Sequence, residues 1–513
     1  MSRVSAFFDR LSVLLGPVFR PIDARLNPIL VKEVRQALRG RYFTVVFWLM
    51  VTIATTIGCL MLVAQGRRPD AAGGIWFFVS MYGCLSVSVH LFVPFSAFLS
   101  VGSEWDENTY DLLVLSDLRP SQIVLGKLLS AGVQVLLFYS AFGPFVVFAF
   151  LLRGLDLTGA AWILGGTLIT SFALTSLAVC LSSLVRHKFA RVMLMAVLAA
   201  ILIGASVVSI VSATQLLMMR IFHAPEFRDV ALAFFTGALT VAVFSLAYAA
   251  TRFTHPEENR STSLRVLTTT VVLIACGWGT YLYHVHRDPE IVGGLGVATL
   301  ACLTLLSTTF VAEEEKLGRR VRMQVPKNPV LALLAAPFLP GGGRGVLHYL
   351  LNGVLVLLCV GFSFVYIPNT RSFALEGLPA ATLLYFVTYL LLPTALLSRW
   401  SRDLRYRILA RFLVPCLALL AFVVPTVVGF LLSDDAMLRM HHVGNPAWTV
   451  FEALDDDRPG LLVPVAVMAL VTLLLNVPRV LVSLRELSKC SSERRRRELP
   501  RRVELEPDAV PEA

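Results

Sequence analysis

Charged residues are scarce in this 513-residue chain, at 15%, against 56% hydrophobic residues and a mean hydropathy of +0.73. Soluble domains carry about a quarter charged residues, so a water-soluble core cannot hide this much apolar surface and lipid must cover it. The middles of the long apolar runs hold no Asp, Glu, Lys or Arg; only His90 and His348 are ionisable there, His348 near an end. Carriers driven by proton or sodium gradients place carboxylates or paired charges inside the membrane, so a self-powered carrier is not expected. The phosphate loop G-x-x-x-x-G-K-[ST] is missing: Gly126-Lys127 is followed by Leu128, and Ser121 stands where the first glycine is needed. The chain is therefore not expected to hydrolyse ATP by itself. H-E-x-x-H and G-x-S-x-G are absent. No C-x-x-C occurs; seven of the eight cysteines lie inside apolar runs and Cys490 lies in a basic stretch, which excludes a disulfide framework and a thiolate zinc site. The first 26 residues do not read as a cleavable signal, because Asp9 and Arg10 interrupt the apolar stretch.

What is present is a series of apolar runs of spanning length, over 44–64, 75–100, 123–152, 160–185, 190–219 and 230–251. A second series covers 266–284, 291–312, 346–367, 378–398, 408–432 and 460–482. Each is near or above the ~20 residues that cross a bilayer as a helix. The net charge of +11 is spent on orientation, since basic residues flank the runs and form no nucleic-acid footprint. With the N-terminus inside, 36 of the 45 Lys and Arg fall on the inner side. The expectation is an all-α polytopic membrane protein of about 12 transmembrane helices, N-in and C-in. It divides into a cytoplasmic segment 1–43, a six-span unit 44–265, a second six-span unit 266–482 and a tail 483–513. That tail opens on the basic run Arg494–Arg497, read as an unstructured, headgroup-facing stretch.

Residues 27–41 read as an inner-surface amphipathic helix. Asn27 caps, Pro28 suits the first helical position, and Leu30, Val31, Val34, Ala37 and Leu38 form one face, with Lys32, Arg35, Arg39 and Arg41 opposite. Asn27-Pro28-Ile29-Leu30 has a weak echo in Asn328-Pro329-Val330-Leu331.

Between the second and third runs lies the only acidic loop on an otherwise basic inner face, Gly102 to Leu129. Ser103 reads as the cap of a short helix, closed by Pro120. Glu104, Glu107 and Asp111 share one of its faces, and Trp105, Thr109, Leu112 and Leu113 share another. In order and spacing the loop resembles the cytoplasmic loop of type-2 ABC (ATP-binding cassette) exporter permeases. An acidic pair (Glu104, Glu107) precedes Thr109, then Leu112-Leu113, Leu118, and Ile123-Val124-Leu125-Gly126-Lys127 leading into the third span. Trp105, Asn108 and Asp117 depart from the usual residues. Upstream, Asn27-Pro28-x-Leu30-x-Lys32-Glu33-x-Arg35 looks like the elbow helix of that family. The resemblance covers about residues 27–265. It implies an export permease of the bacterial cytoplasmic (inner) membrane, with 102–121 as a coupling helix seated in a separate ATP-binding subunit. ATP and magnesium then belong to that partner, with no cofactor in this chain, and a second permease chain or a homodimer can complete the transporter.

Two other readings stand beside it. One is a membrane scaffold or assembly protein without transport. The other rests on Glu314-Glu315-x-x-x-Arg319 and His348-x-x-x-Asn352, which are similar to two of three motifs of CAAX-processing intramembrane proteases; the middle motif is missing, and the glutamates read instead as a solvated cluster. His284, His286 and Asp288, and His441-His442 with Asp434 and Asp435, read as ordinary loop residues and not as metal ligands.

Overall fold

A computed structural model describes residues 28–67, 73–106, 120–152, 154–184, 188–224, 226–254, 258–365, 373–400 and 462–498, with Leu420 by itself. Among the described residues the secondary structure is entirely helical, and 11 helices are long and apolar enough to cross a membrane. The expected span 408–432 lies outside the described residues apart from Leu420. Large apolar side chains face outward along these helices, among them Trp48 (61% exposed), Val208 (64%) and Leu358 (65%). A soluble protein does not expose apolar surface on that scale, so the chain is a multi-pass integral membrane protein of the all-α class.

The chain forms two compact units, Met1–His255 and Pro256–Ala513. In the first, α1 (Pro28–Arg39) precedes α2 (Arg41–Arg67), and α3 (Gly73–Val87) continues through a π-helical turn (Ser88–Phe92) into α4 (Val93–Asp106). Then come α5 (Pro120–Leu151), α6 (Leu157–Leu184), α7 (Lys188–Met218) and α8 (Phe227–Phe253). Its core is aromatic: Phe77, Phe78, Met81, Tyr82, Phe138 and Phe142 are all buried together. As the sequence pattern requires, α1 starts at Pro28, exposes Lys32, Arg35 and Arg39, and half-buries Val31, Val34, Ala37 and Leu38. Asn27 lies outside the described residues.

The second unit holds α9 (Thr262–His286), α10 (Pro289–Val311), the short α11 (Arg319–Arg322) and α12 (Pro329–Leu334), α13 (Gly342–Val365), α14 (Phe373–Trp400) and α15 (Val463–Glu498). Leu300, Leu303, Tyr349, Leu390 and Leu391 fill its centre. Asn328 caps α12, its side chain accepting from the Val330 amide at 3.0 Å. That is the role expected of Asn27 in the earlier copy of the motif. Asp288 likewise caps α10 through the Glu290 amide, which accounts for its place beside His284 and His286.

Two local expectations are corrected. No helix starts at Ser103: α4 runs through it to Asp106, and its hydroxyl turns back to the Ser100 carbonyl at 3.0 Å. Pro120 opens α5, where its missing N–H costs nothing; the short helix that it is expected to close lies outside the described residues past Asp106. The basic run Arg494–Arg497 is the helical continuation of α15, and Arg494 donates to the Val325 carbonyl at 2.5 Å. A charge near an apolar run reads as the edge of the membrane, whereas a charge with a partner lets the helix continue.

Candidate functional site

The acidic loop has two stems, α4 and α5, and a buried ion cluster joins them. Lys127, on α5, directs its ammonium to Glu104 on α4 at 2.9 Å and to Glu33 on α1 at 3.2 Å. Its third proton goes to the Ser100 hydroxyl at 3.0 Å, and Ser100 in turn donates to the other oxygen of Glu33 at 3.2 Å. The three charged side chains are 2–11% exposed. A lysine has three donors, and all three are used. At this depth neither a lone ammonium nor a lone carboxylate is tolerated without a partner. The residue types at 33, 104 and 127 therefore make sense only together.

The structure brings together three residues from the two sequence motifs, the elbow and the loop. It also corrects the place assigned to Glu104. This side chain belongs to the last turns of the second span and faces inward to Lys127. Gly126 is buried beside Lys127. Lys32 and Arg35 stay on the exposed face of α1. Glu107, Thr109, Asp111, Leu112 and Leu113 lie outside the described residues. Beside the cluster, between α1, α4 and α5, is a cavity of about 280 Å³ lined by Glu33, Lys127, Ser130 and Gln134 among others.

Deeper in the same unit, His90 sits in the π-helical turn with both ring nitrogens bonded. Nδ1 is 3.1 Å from the Ser86 hydroxyl, and Nε2 is 2.9 Å from the Thr170 hydroxyl. Ser171 donates to the Val89 carbonyl at 2.9 Å and so satisfies backbone that the widened turn releases. This histidine is a packed, hydrogen-bonded residue whose partners all lie on α3 and α6.

The second unit holds a polar cluster that the sequence reading did not find. Arg265, fully buried on α9, donates to the carbonyls of Pro337, Leu339 and Gly341 at 3.1, 2.6 and 3.0 Å, and to Glu313 at 2.7 Å. Its guanidinium also lies 5.3 Å from the Phe310 ring centroid. Arg344, equally buried, donates to Pro340, Glu315 and Ser483 carbonyls. Arg479 on α15 pairs with Glu315 at 2.6 Å. Glu313 and Glu315 accept from the amides of Gly341 and Gly343 at the start of α13, the position where a helix favours anions. The expected solvated cluster is thus corrected: Glu314 is exposed, but its two neighbours lock the segment 313–341 onto the helix ends. A signal was available in the sequence. An acidic triplet at 313–315 is followed by the glycine-rich Gly341-Gly342-Gly343-Arg344-Gly345, and only small residues let a helix end come this close to its neighbours.

His348 and Asn352 are buried one turn apart, with the Asn352 amide 3.3 Å from the ring, and Phe310 and Phe338 pack edge-on against that ring. Among the described residues no three His, Cys, Asp or Glu gather as metal ligands, and the Glu315 carboxylate is taken up by Arg479, the Ser483 hydroxyl and the Gly343 amide. Compared with family models, with curated proteins and with solved structures, the chain matches none of them.

Proposed function

We propose that this chain is the membrane-spanning permease subunit of an ATP-driven exporter in a bacterial cytoplasmic membrane, N-in and C-in. A separate ATP-binding subunit, carrying ATP and magnesium, docks on the loop 102–121. A second permease chain or a homodimer completes the pathway. One observation supports this reading best: the Glu33–Lys127–Glu104 cluster clamps both stems of that loop to each other and to the amphipathic helix α1. A loop that passes force from a soluble motor to membrane helices needs a base that does not yield. A buried ion cluster breaks only at a cost of several kcal/mol, so a push on the loop moves α1, α4 and α5 as one body. Glu107 and Asp111, on the loop between the stems, are the residues proposed to meet the partner.

The test is charge reversal on the loop, with the clamp left intact. Glu107→Lys with Asp111→Lys opposes any cationic surface selected to receive these anions. Close interfacial charge pairs couple by roughly 1.5 kcal/mol or more, so retention of the ATPase should fall at least tenfold. Glu258→Lys is the control, because Glu258 is exposed and pairs with the exposed Arg320 at 3.2 Å. If the loop variant keeps both its ATPase partner and full transport-linked ATP turnover, the docking assignment is wrong. Equal failure of both variants would trace the effect to general surface charge and remove the support for docking at this loop.

A further inference from the structure

We infer that α12 is an interfacial anchor of the second unit, whose apolar side chains enter the surface of an anionic lipid leaflet. Exposure is the first reason. Of the six residues Pro329–Leu334 only Ala332 is buried, and Val330, Leu331, Leu333 and Leu334 are between 54% and 69% exposed. Apolar side chains scattered singly on a surface need no explanation, but four within six residues mark a surface that another apolar phase covers. The element is held firmly while it presents them. Asn328 caps it, and the Ser491 hydroxyl on α15 donates to the carbonyls of Pro326 and Lys327 at 3.0 and 2.9 Å.

Depth is the second reason, and it selects lipid over a soluble partner. Arg265, in the first turn of the spanning helix α9, donates to the carbonyls of Pro337 and Leu339, and the next residue, Val266, is already exposed on that helix. The segment just after α12 is therefore at the edge of the hydrocarbon. On α15 the last exposed large apolar side chain among the described residues is Val482, and Ser491 comes about 14 Å further along the helix. Between these two levels lies α12, in the layer just beyond the hydrocarbon, where headgroups form a zone of roughly 5–8 Å. Charge is the third reason. Lys316, Arg319, Lys327, Arg485 and Lys489 are exposed at this end of the unit, against the exposed Glu314 and Glu493. Arg320 and Arg322 pair with Glu258 and Glu486. Apolar side chains flanked by surplus basic residues are what an anionic interface retains.

The inference does not rest on the permease reading, because its assay uses the purified full chain by itself. In a background without native cysteines, Leu331→Cys, Leu333→Cys and Leu334→Cys each carry a nitroxide, in nanodiscs of phosphatidylcholine with or without phosphatidylglycerol. Power-saturation electron paramagnetic resonance compares collision with oxygen, which concentrates in lipid, and with a neutral nickel chelate, which stays in water. With phosphatidylglycerol, the oxygen-to-nickel ratio at the three positions should be at least threefold above that of a label on Ser492→Cys, at the exposed end of α15. It should be at least twofold above its own value in pure phosphatidylcholine. Arg319→Gln with Lys489→Gln should remove that lipid dependence. Leu331→Asp with Leu334→Asp should bring the label at 333 to the Ser492 level while the gel-filtration profile stays unchanged. Three separately labelled positions keep the test decisive if one variant fails to assemble. Ratios equal to that of Ser492 in both lipids would overturn the anchor and leave this face to a soluble partner. Equal depth in the two lipids would overturn its preference for anionic headgroups.

Discussion

The Lys127 ammonium and the Glu104 carboxylate, at opposite stems of the acidic loop, are 2.9 Å apart and buried. Each is the nearest answer to the other's charge, with Glu33 as the third member. Replacing Lys127 by Met should therefore be strongly damaging, since it removes the cation that both buried carboxylates contact. Breaking a buried pair from one side costs about 3–5 kcal/mol, and the thermal unfolding midpoint of the purified chain should drop accordingly. Adding Glu33→Gln and Glu104→Gln to Lys127→Met should recover much of the loss. No recovery would mean that the cluster's worth lies in shape, not charge.

Arg265 gives a sharper contrast. Its planar fork reaches several carbonyls and a carboxylate at once, which a lysine cannot do. Arg265→Lys should destabilise the second unit nearly as much as Arg265→Leu, by about 3 kcal/mol or more. Limited proteolysis should open the segment 313–341 first in both variants. A lysine variant with wild-type protease resistance would show that charge by itself holds that segment.

Glycines in the same corner predict opposite signs. A Cβ on Gly345 would stand 2.5 Å from the Phe310 carbonyl, and one on Gly343 would stand 2.7 Å from the Arg479 carbonyl. Gly341 has φ +138°, a backbone conformation that side chains rarely adopt. Gly345→Ala and Gly341→Ala should each sharply reduce the yield of folded protein. Gly361→Ala, on the same helix with nothing within 4 Å of its Cβ, should leave yield unchanged or slightly higher. Fluorescence-detected gel filtration of tagged variants separates the two groups.

Cys276 on α9 and Cys359 on α13 line the same small pocket. Oxidation with copper phenanthroline should join them, with loss of two protons and two electrons to the oxidant. Mass spectrometry of the digested chain should find the linked peptides, absent in Cys276→Ser. Failure to cross-link while both cysteines remain alkylatable would contradict the packing of α9 against α13.

The orientation of the whole chain rests on 36 of the 45 basic residues falling on one side. In a background without native cysteines, single cysteines at 70 and 440 should react with an impermeant thiol reagent in intact cells. Those at 108 and 318 should stay unlabelled until the cells are opened. Labelling at 318 in sealed cells would mean that the number of spans before it is wrong by one.

Much of this protein is legible in one dimension because a bilayer imposes two local rules. A helix must be long and apolar enough to cross, and Lys and Arg stay on the inner side. Both act on stretches of sequence without reference to neighbours, and the eleven spanning helices follow from them, while the helical spacing of apolar residues marks α1 in the same local way. What the sequence could not determine is the fate of each charge at a span's end. Taken singly, Glu104, Lys127, Glu313, Glu315 and Arg265 look like residues placed in water. Their burial becomes affordable only when helices distant in sequence bring an opposite charge or a ring of carbonyls within about 3 Å, where a low dielectric makes the pairing strong. Partner and distance are properties of packing, so the ion cluster under α1, the carbonyl cradle around Arg265 and the extension of α4 through Ser103 were decided only in three dimensions.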